Sequence, residues 1–310
     1  METGALPVLN RLLVQLDEKN GARALGNDML SAMITTIDQF AGEKDSKSLL
    51  KQLLDLHNLL LACRPRMAHA IHDIQDLMIY LVNRPDADSN QLKNYIIELQ
   101  KKNEKELEDT LKNALPLFKE QKEILIHSHS NTIQRLLAYL EHADKKPVVY
   151  VAAQDTDKTE KIIKDLHKGQ FVFHVLSEYS IVHVIENLDL AIFGALTLNN
   201  NEEIILGPGS GGLIAQLKKA GIEIYSILSR SKFSYWREQT ETAYSEVRSK
   251  SAMGVKYQKT VYSHDVVPLD HFTGIIADEK IYTPDEARKV YEEEQQSFVK
   301  NEEIINSINK

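Results

Sequence analysis

The residues best suited to chemistry stand at the ends of short apolar runs. Ile204-Ile205-Leu206 leads into Gly207-Pro208-Gly209-Ser210-Gly211-Gly212, and Leu213-Ile214-Ala215 follows. A strand that turns on glycines into a helix presents the helix's first free amides, with the positive end of its dipole, above the turn, and an anion is the usual occupant. Gly207, Gly209 and Gly212 also satisfy the dinucleotide spacing G-x-G-x-x-G. That fingerprint normally opens its βαβ unit and meets an acid about 20 residues later. Here at least three strand-like runs come first and Arg230 ends the next one, so no nucleotide cofactor is implied. The glycines serve equally well simply to turn the chain.

A second cluster, His127-Ser128-His129-Ser130, ends the run Ile124-Leu125-Ile126. A serine beside a histidine has the composition of a nucleophile and its base. Successive strand residues face opposite sides, however, so His127 and His129 share a side that excludes Ser128. No third ligand at metal spacing accompanies the histidines, and no metal site is expected. Lys232, in Ser231-Lys232-Phe233, follows a strand end, where open α/β sheets hold their ligands. Arg23 and Arg64 stand at breaks between helical segments and could meet an anion; Arg64 equally suits a helix C-terminus. Asp265 is expected to fix a loop by local hydrogen bonding. Tyr235 and Trp236 fit either an interface or the core.

The elements that must position these residues fall into two groups. From Leu9 to about Phe118 apolar residues return every three or four positions, as at Met29, Met33, Ile34 and Ile37. Asp45 or Ser46 caps a helix running through Leu49 to Leu61, and Arg64-Pro65 interrupts it. Ile71, Ile74 and Leu77 mark another, and Ser89 is the expected N-cap of a long helix through Leu111. The charged middle of that helix, Lys101 to Glu108, reads as a solvated face. Beyond residue 120 the runs Ile124 to Ile126, Val148 to Ala152, Phe171 to Val175, Leu190 to Ala195 and Ile222 to Leu228 alternate with helical segments that Gly169 and Gly221 stop. Val261 and Thr273 to Ala277 add further strands, and a helix starts at Pro284. The expected fold is α/β: a helical N-terminal domain over 1–120, then a Rossmann-like, mostly parallel sheet domain over 121–310.

With 310 residues, 43% hydrophobic and 26% charged, the chain has the composition of a soluble globular protein. Its net charge of −8 argues against nucleic-acid backbones as partners. No apolar run approaches a membrane span. A start without a signal-like segment, and Cys63 as the single cysteine, point to the cytoplasm.

Taken in order, Gly21-Ala22-Arg23, Arg64-Pro65-Arg66-Met67, Ile124 to Ser130, Glu186 to Ala195, Gly209-Ser210, Ser231-Lys232-Phe233 and Asp265-Val266-Val267-Pro268 resemble a known superfamily. It joins the alpha, beta and delta regulatory subunits of eukaryotic translation initiation factor 2B to two isomerases, acting on methylthioribose 1-phosphate and ribose 1,5-bisphosphate. The resemblance implies a homodimer formed largely through the sheet domain and partners among initiation-factor subunits. It also implies a pocket for a sugar phosphate or nucleotide, with Ala22, Arg23, Arg64, His127, Ser128, Ser130, Gly209, Ser210 and Lys232 as ligand-binding residues. No cofactor is implied.

The chain departs from the isomerases where they do chemistry. Ser128 stands where they carry a cysteine, and Leu196 where they carry an aspartate; an unassisted hydroxyl and an alkyl group cannot share an aldose–ketose proton transfer. Asp155 falls near an arginine of the enzymes and Gly207 near a lysine, which weakens the attraction for a phosphate. The expectation is therefore a noncatalytic, regulatory-subunit-like protein, its implied role being regulation of guanine nucleotide exchange on the factor that delivers initiator transfer RNA. The alternatives are an isomerase with rearranged catalytic groups and a ligand sensor without chemistry. Another thiol or ionised oxygen reaching over the glycine turn would overturn the inert reading.

Overall fold

The computed structural model describes residues 22–39, 46–63, 66–118, 122–127, 130–153, 156–236, 243 and 245–308. Four helices come first: α1 Ala22–Gln39, α2 Ser46–Ala62, α3 Ala68–Asn83 and α4 Ser89–Ala114. α3 is central because its apolar side chains go nearly all round. Ile71, Ile74, Leu77, Met78 and Leu81 are buried, and both α1 and α2 pack on it. The cap of α4 is Asp88, not Ser89. Its side chain accepts the Gln91 N–H at 2.8 Å while Gln91 Oε1 accepts the Asp88 N–H at 3.0 Å, a reciprocal box that a serine one residue later cannot make. The charged middle of α4 is solvated except on its inner face. There the buried Asn103 donates to both carboxylate oxygens of buried Asp73 on α3, at 3.1 and 3.2 Å.

The α/β part follows as β1 Glu123–His127, α5 Asn131–His142, β2 Val148–Ala153, α6 Thr156–Lys168, β3 Phe173–Ser177, β4 Leu190–Leu198, β5 Glu203–Leu206, α7 Ser210–Ala220 and β6 Glu223–Ile227. Then come β7 Ser245–Ala252, β8 Val255–Tyr262, β9 Asp265–Pro268, β10 Gly274–Ile276, β11 Ile281–Tyr282 and α8 Pro284–Ile308. The main sheet runs β11-β10-β6-β4-β1-β2-β3. Every neighbouring pair in it is parallel except β10 with β11. β1 lies inside the sheet between β4 and β2, so Ile124, Leu125 and Ile126 are buried on both faces, as a continuous apolar run requires. The C-terminal half of α4 reaches this layer: Leu107 and Leu111 share a core with Ile124, Ile126 and Ile192.

Beyond the expected parallel sheet, β5 turns back antiparallel on β4 and pairs with β9 on its other side. β7 and β8 form a separate antiparallel ribbon, and Val261 belongs to it rather than to the main sheet. Gly221 caps α7 with a φ of 76°, whereas at the end of α6 the positive φ falls on Gln170, one residue after Gly169. α8 runs to Ile308, and Ile305 near its end is buried.

Candidate functional site

The site grows from the carboxyl end of β1. His127 is its last residue, 1% exposed, between Ala152 of β2 and Phe193 of β4. Ser130 then caps α5, its Oγ accepting the Ile133 N–H at 3.2 Å. β4 must pass closely beneath that cap: a Cβ at Gly194 would stand 2.4 Å from Ser130 Oγ, so any larger residue would have to displace that hydroxyl. β5 delivers the glycine turn, where Gly209 takes a φ of 94° and Ser210 starts α7.

These pieces converge on His127. Ser210 Oγ lies 3.0 Å from its Nδ1, and Glu178 Oε1 lies 2.6 Å from its Nε2. An ionised carboxylate only accepts, so Nε2–H donates to Glu178, and in the neutral imidazole Nδ1 accepts the Ser210 hydroxyl. Glu178 stands just after β3 and also overhangs the turn: a Cβ at Gly209 would come 2.7 Å from its Oε1. Asp265, the first residue of β9, carries Oδ2 to the Gly209 N–H at 3.0 Å and the Gly211 N–H at 2.8 Å.

Two expectations are corrected here. The α7 amides do hold an anion, but it is the chain's own Asp265 carboxylate, reaching across more than fifty residues rather than fixing its own loop. Ionised oxygens also stand at the glycine turn, from Glu178 and Asp265, although Leu196 contributes none. Glu178 went unnoticed because nothing local marks it. Its one signal is a carboxylate directly after a strand end, the side on which such sheets bind.

Lys232 lies deeper than a ligand-facing lysine. It is buried, its Nζ donating to the Ala195 carbonyl at 2.9 Å and reaching Thr132 Oγ1 at 3.5 Å, while Thr197 Oγ1 donates to the Lys232 carbonyl. It thus meets the Ser130 cap through Gly194 and Ala195. His127, Ser130, Gly209, Ser210 and Lys232 are in this way brought to one end of the sheet. Ala22 and Arg23 open α1, their side chains outside the described residues; Arg64, Ser128, His129 and Asp155 lie outside them altogether.

Arg230 is occupied by three carboxylates, Asp278 at 3.1 Å and Glu279 and Glu294 at 2.8 Å each. Tyr235 and Trp236 take the core role: Trp236 packs edge-on against Phe298 with centroids 5.2 Å apart, and both rings meet His72 of α3. Among the described residues no group of three or more His, Cys, Asp or Glu is arranged to hold a metal. None of their helices is long and apolar enough to cross a membrane.

Solved structures share this fold. The translation initiation factor eIF-2B of Pyrococcus horikoshii OT3 superposes with a TM-score of 0.71 at 18% identity, covering 89% of this chain and 97% of that one. eIF2B beta from Chaetomium thermophilum gives 0.62 at 14% identity, covering 94% and 92%. The 5-methylthioribose 1-phosphate isomerase of P. horikoshii OT3 gives 0.64 at 13% identity, covering 93% and 88%. No curated protein matches the sequence. The profile of the Initiation factor 2 subunit family, in contrast, matches residues 18–284, from the first helices through the glycine turn to the start of the last helix. With so much of its length matched, the chain belongs to that family.

Proposed function

We propose that this protein is a noncatalytic, regulatory-subunit-like member of the family. In this reading it is cytoplasmic, dimerises, and acts by binding subunits of the translation initiation machinery, with 1–120 as its helical domain and 121–310 as its sheet domain. The carboxylates of Glu178 and Asp265 at the glycine turn are groups of the kind that would overturn an inert reading; what supports the noncatalytic reading is that they are bound within the chain, so that the groups able to do chemistry there are one another's partners. Both ring nitrogens of His127 are engaged, and Asp265 occupies the α7 amides. Ser210, Glu178 and His127 have the composition of a relay, yet Ser210 is 1% exposed and no substrate carbonyl reaches a hydroxyl so enclosed. Two carboxylates at the turn also repel a phosphate dianion.

The isomerase reading gains from the same carboxylates, which supply the acid missing at Leu196. Incubation with methylthioribose 1-phosphate and with ribose 1,5-bisphosphate separates the two. No conversion is expected, and turnover lost in Glu178→Gln would establish the enzyme instead. A ligand sensor without chemistry would show thermal stabilisation by one of these phosphates and no product. The regulatory role is checked by adding the purified chain to initiation factor 2 from the same source. A changed rate of GDP release is expected; an unchanged rate with no association overturns the role.

A further inference from the structure

The β7–β8 ribbon stands apart from the main sheet. Its strands pair from Ser245 opposite Tyr262 to Ala252 opposite Val255, and among the described residues they pair with no other strand. Every residue from Ser249 to Thr260 is exposed. A two-stranded ribbon with water on both faces gains little stability from its own side chains, so their chemistry points to what they meet.

Residues opposite one another share a face. One face carries Arg248 opposite Lys259 and Lys250 opposite Tyr257; the other carries Lys256 opposite Ser251, Gln258 opposite Ser249 and Thr260 opposite Val247. Setting Arg248 against Lys259 puts like charges together, which works against pairing. Glu246, the one acid of the ribbon, meets Arg248 at 3.1 Å, and no ion pair among the described residues holds Lys250, Lys256 or Lys259. The ribbon thus carries +3 and the rest of the chain −11, so the net −8 that argues against nucleic acid averages two unlike parts. The tip is equally unusual. Met253 and Gly254 take φ of 51° and 81°, the two positive values of a tight hairpin turn. Asparagine, aspartate or glycine usually fills the first position, and a methionine there is strained with no packing in return, its side chain being fully exposed.

We propose that this ribbon lies in a groove of double-stranded nucleic acid. A two-stranded ribbon is of the size such a groove admits, and phosphates on both walls match basic residues on both faces. Ser249, Ser251, Gln258 and Thr260 supply the neutral donors that phosphate oxygens also accept, and Met253 is the kind of apolar wedge that enters between base steps. An anionic membrane fits less well: at about 3.3 Å per residue, Arg248 and Lys259 stand about 16 Å behind the tip, outside the ~8 Å reach of a surface charge. An acidic protein segment laid on one face would leave the lysines of the other unmatched. Duplex DNA and duplex RNA share the chemistry proposed, which does not depend on the regulatory role above.

Fluorescence anisotropy of labelled duplexes of about 20 base pairs, one DNA and one RNA, tests this on the full chain between about 50 and 200 mM salt. At least one duplex should bind, with a slope of log association constant against log salt of about −3 to −4, as four basic side chains displace counterions. The triple variant Lys250→Gln, Lys256→Gln, Lys259→Gln should bind at least about 10-fold more weakly at low salt, with a slope near about −1. Met253→Asn, which relaxes the turn, should bind more weakly with the slope unchanged. Circular dichroism checks the fold of both variants. Failure of the wild type to bind either duplex at about 50 mM salt, or either folded variant binding as tightly as the wild type, overturns the proposal. Equal or tighter binding to polyglutamate or to phosphatidylserine vesicles overturns it as well, giving the ribbon to an acidic protein or to a membrane.

Discussion

Asp265 Oδ2 accepts the Gly211 N–H at 2.8 Å, and thereby occupies from within the position where the glycine turn would otherwise bind an external anion. Asp265→Asn keeps the shape but loses the charge that strengthens both amide bonds. A loss of about 1–3 kcal/mol is expected, the usual worth of hydrogen bonds to a charged group. More diagnostically, Asp265→Ala should empty the cradle: its melting temperature should rise with added phosphate, while that of the wild type stays level. A wild type stabilised as much as the variant would show the turn to be open already.

Gly194 and Ser130 make a second tight relationship. Gly194→Ala places a methyl 2.4 Å from Ser130 Oγ, so the hydroxyl must swing away and the α5 cap is lost. Cap loss and crowding together predict a cost of about 1–3 kcal/mol. In a Ser130→Ala background the same substitution should cost less, because the displaced oxygen is already gone. Chemical denaturation of the four proteins of this cycle measures the coupling, and strict additivity would refute it.

How far the sequence could be read depended on the range of the interaction. Local signals carried the helices and the parallel strands: the 3.6-residue spacing through Ile71, Ile74 and Leu77, and the unbroken apolar run at Ile124 to Ile126, bury as their periodicity requires. The glycine turn was legible too, since a positive φ at Gly209 has a residue-type signature. Its occupant was not. Glu178 meets His127 from 51 residues away and Asp265 meets Gly211 from 54, separations that leave no spacing pattern. The ribbon was missed because Ser245 to Ala252 alternates serines with charges and has no buried face to impose a period.

Buried Asp73 gives the protein a pH dependence of its own. Burial pushes its carboxyl up to about 7 from 3.8, against the opposing pull of the Asn103 hydrogen bonds, with His69 Nε2 3.7 Å away. The folded state then holds a proton that the unfolded chain has released between these values, so Asp73 makes stability fall as pH rises from about 4 through 7. Asp73→Asn removes that slope. Relative to the wild type it should gain steadily across this window and level off above about pH 8, by no more than about 4 kcal/mol on the scale of 1.36 kcal/mol per pH unit. Urea denaturation of both proteins at pH 4, 6 and 8 measures the difference; a constant offset would mean that Asp73 is ionised throughout.

Glu178 and His127 give the last prediction. Glu178→Gln retains an acceptor for the Nε2–H at the 2.6 Å contact and should cost under about 1 kcal/mol, whereas Glu178→Ala removes the acceptor that a buried N–H faces and should cost about 1–3 kcal/mol. Because the Ser210 hydroxyl still donates to Nδ1, the imidazole of Glu178→Gln should keep its proton on Nε2, which the nitrogen chemical shifts of His127 report directly. A proton moved to Nδ1 in that variant would mean that the carboxylate charge, rather than the Ser210 hydroxyl, sets the tautomer. The ring would then be poised by Glu178 in the way a general base is poised.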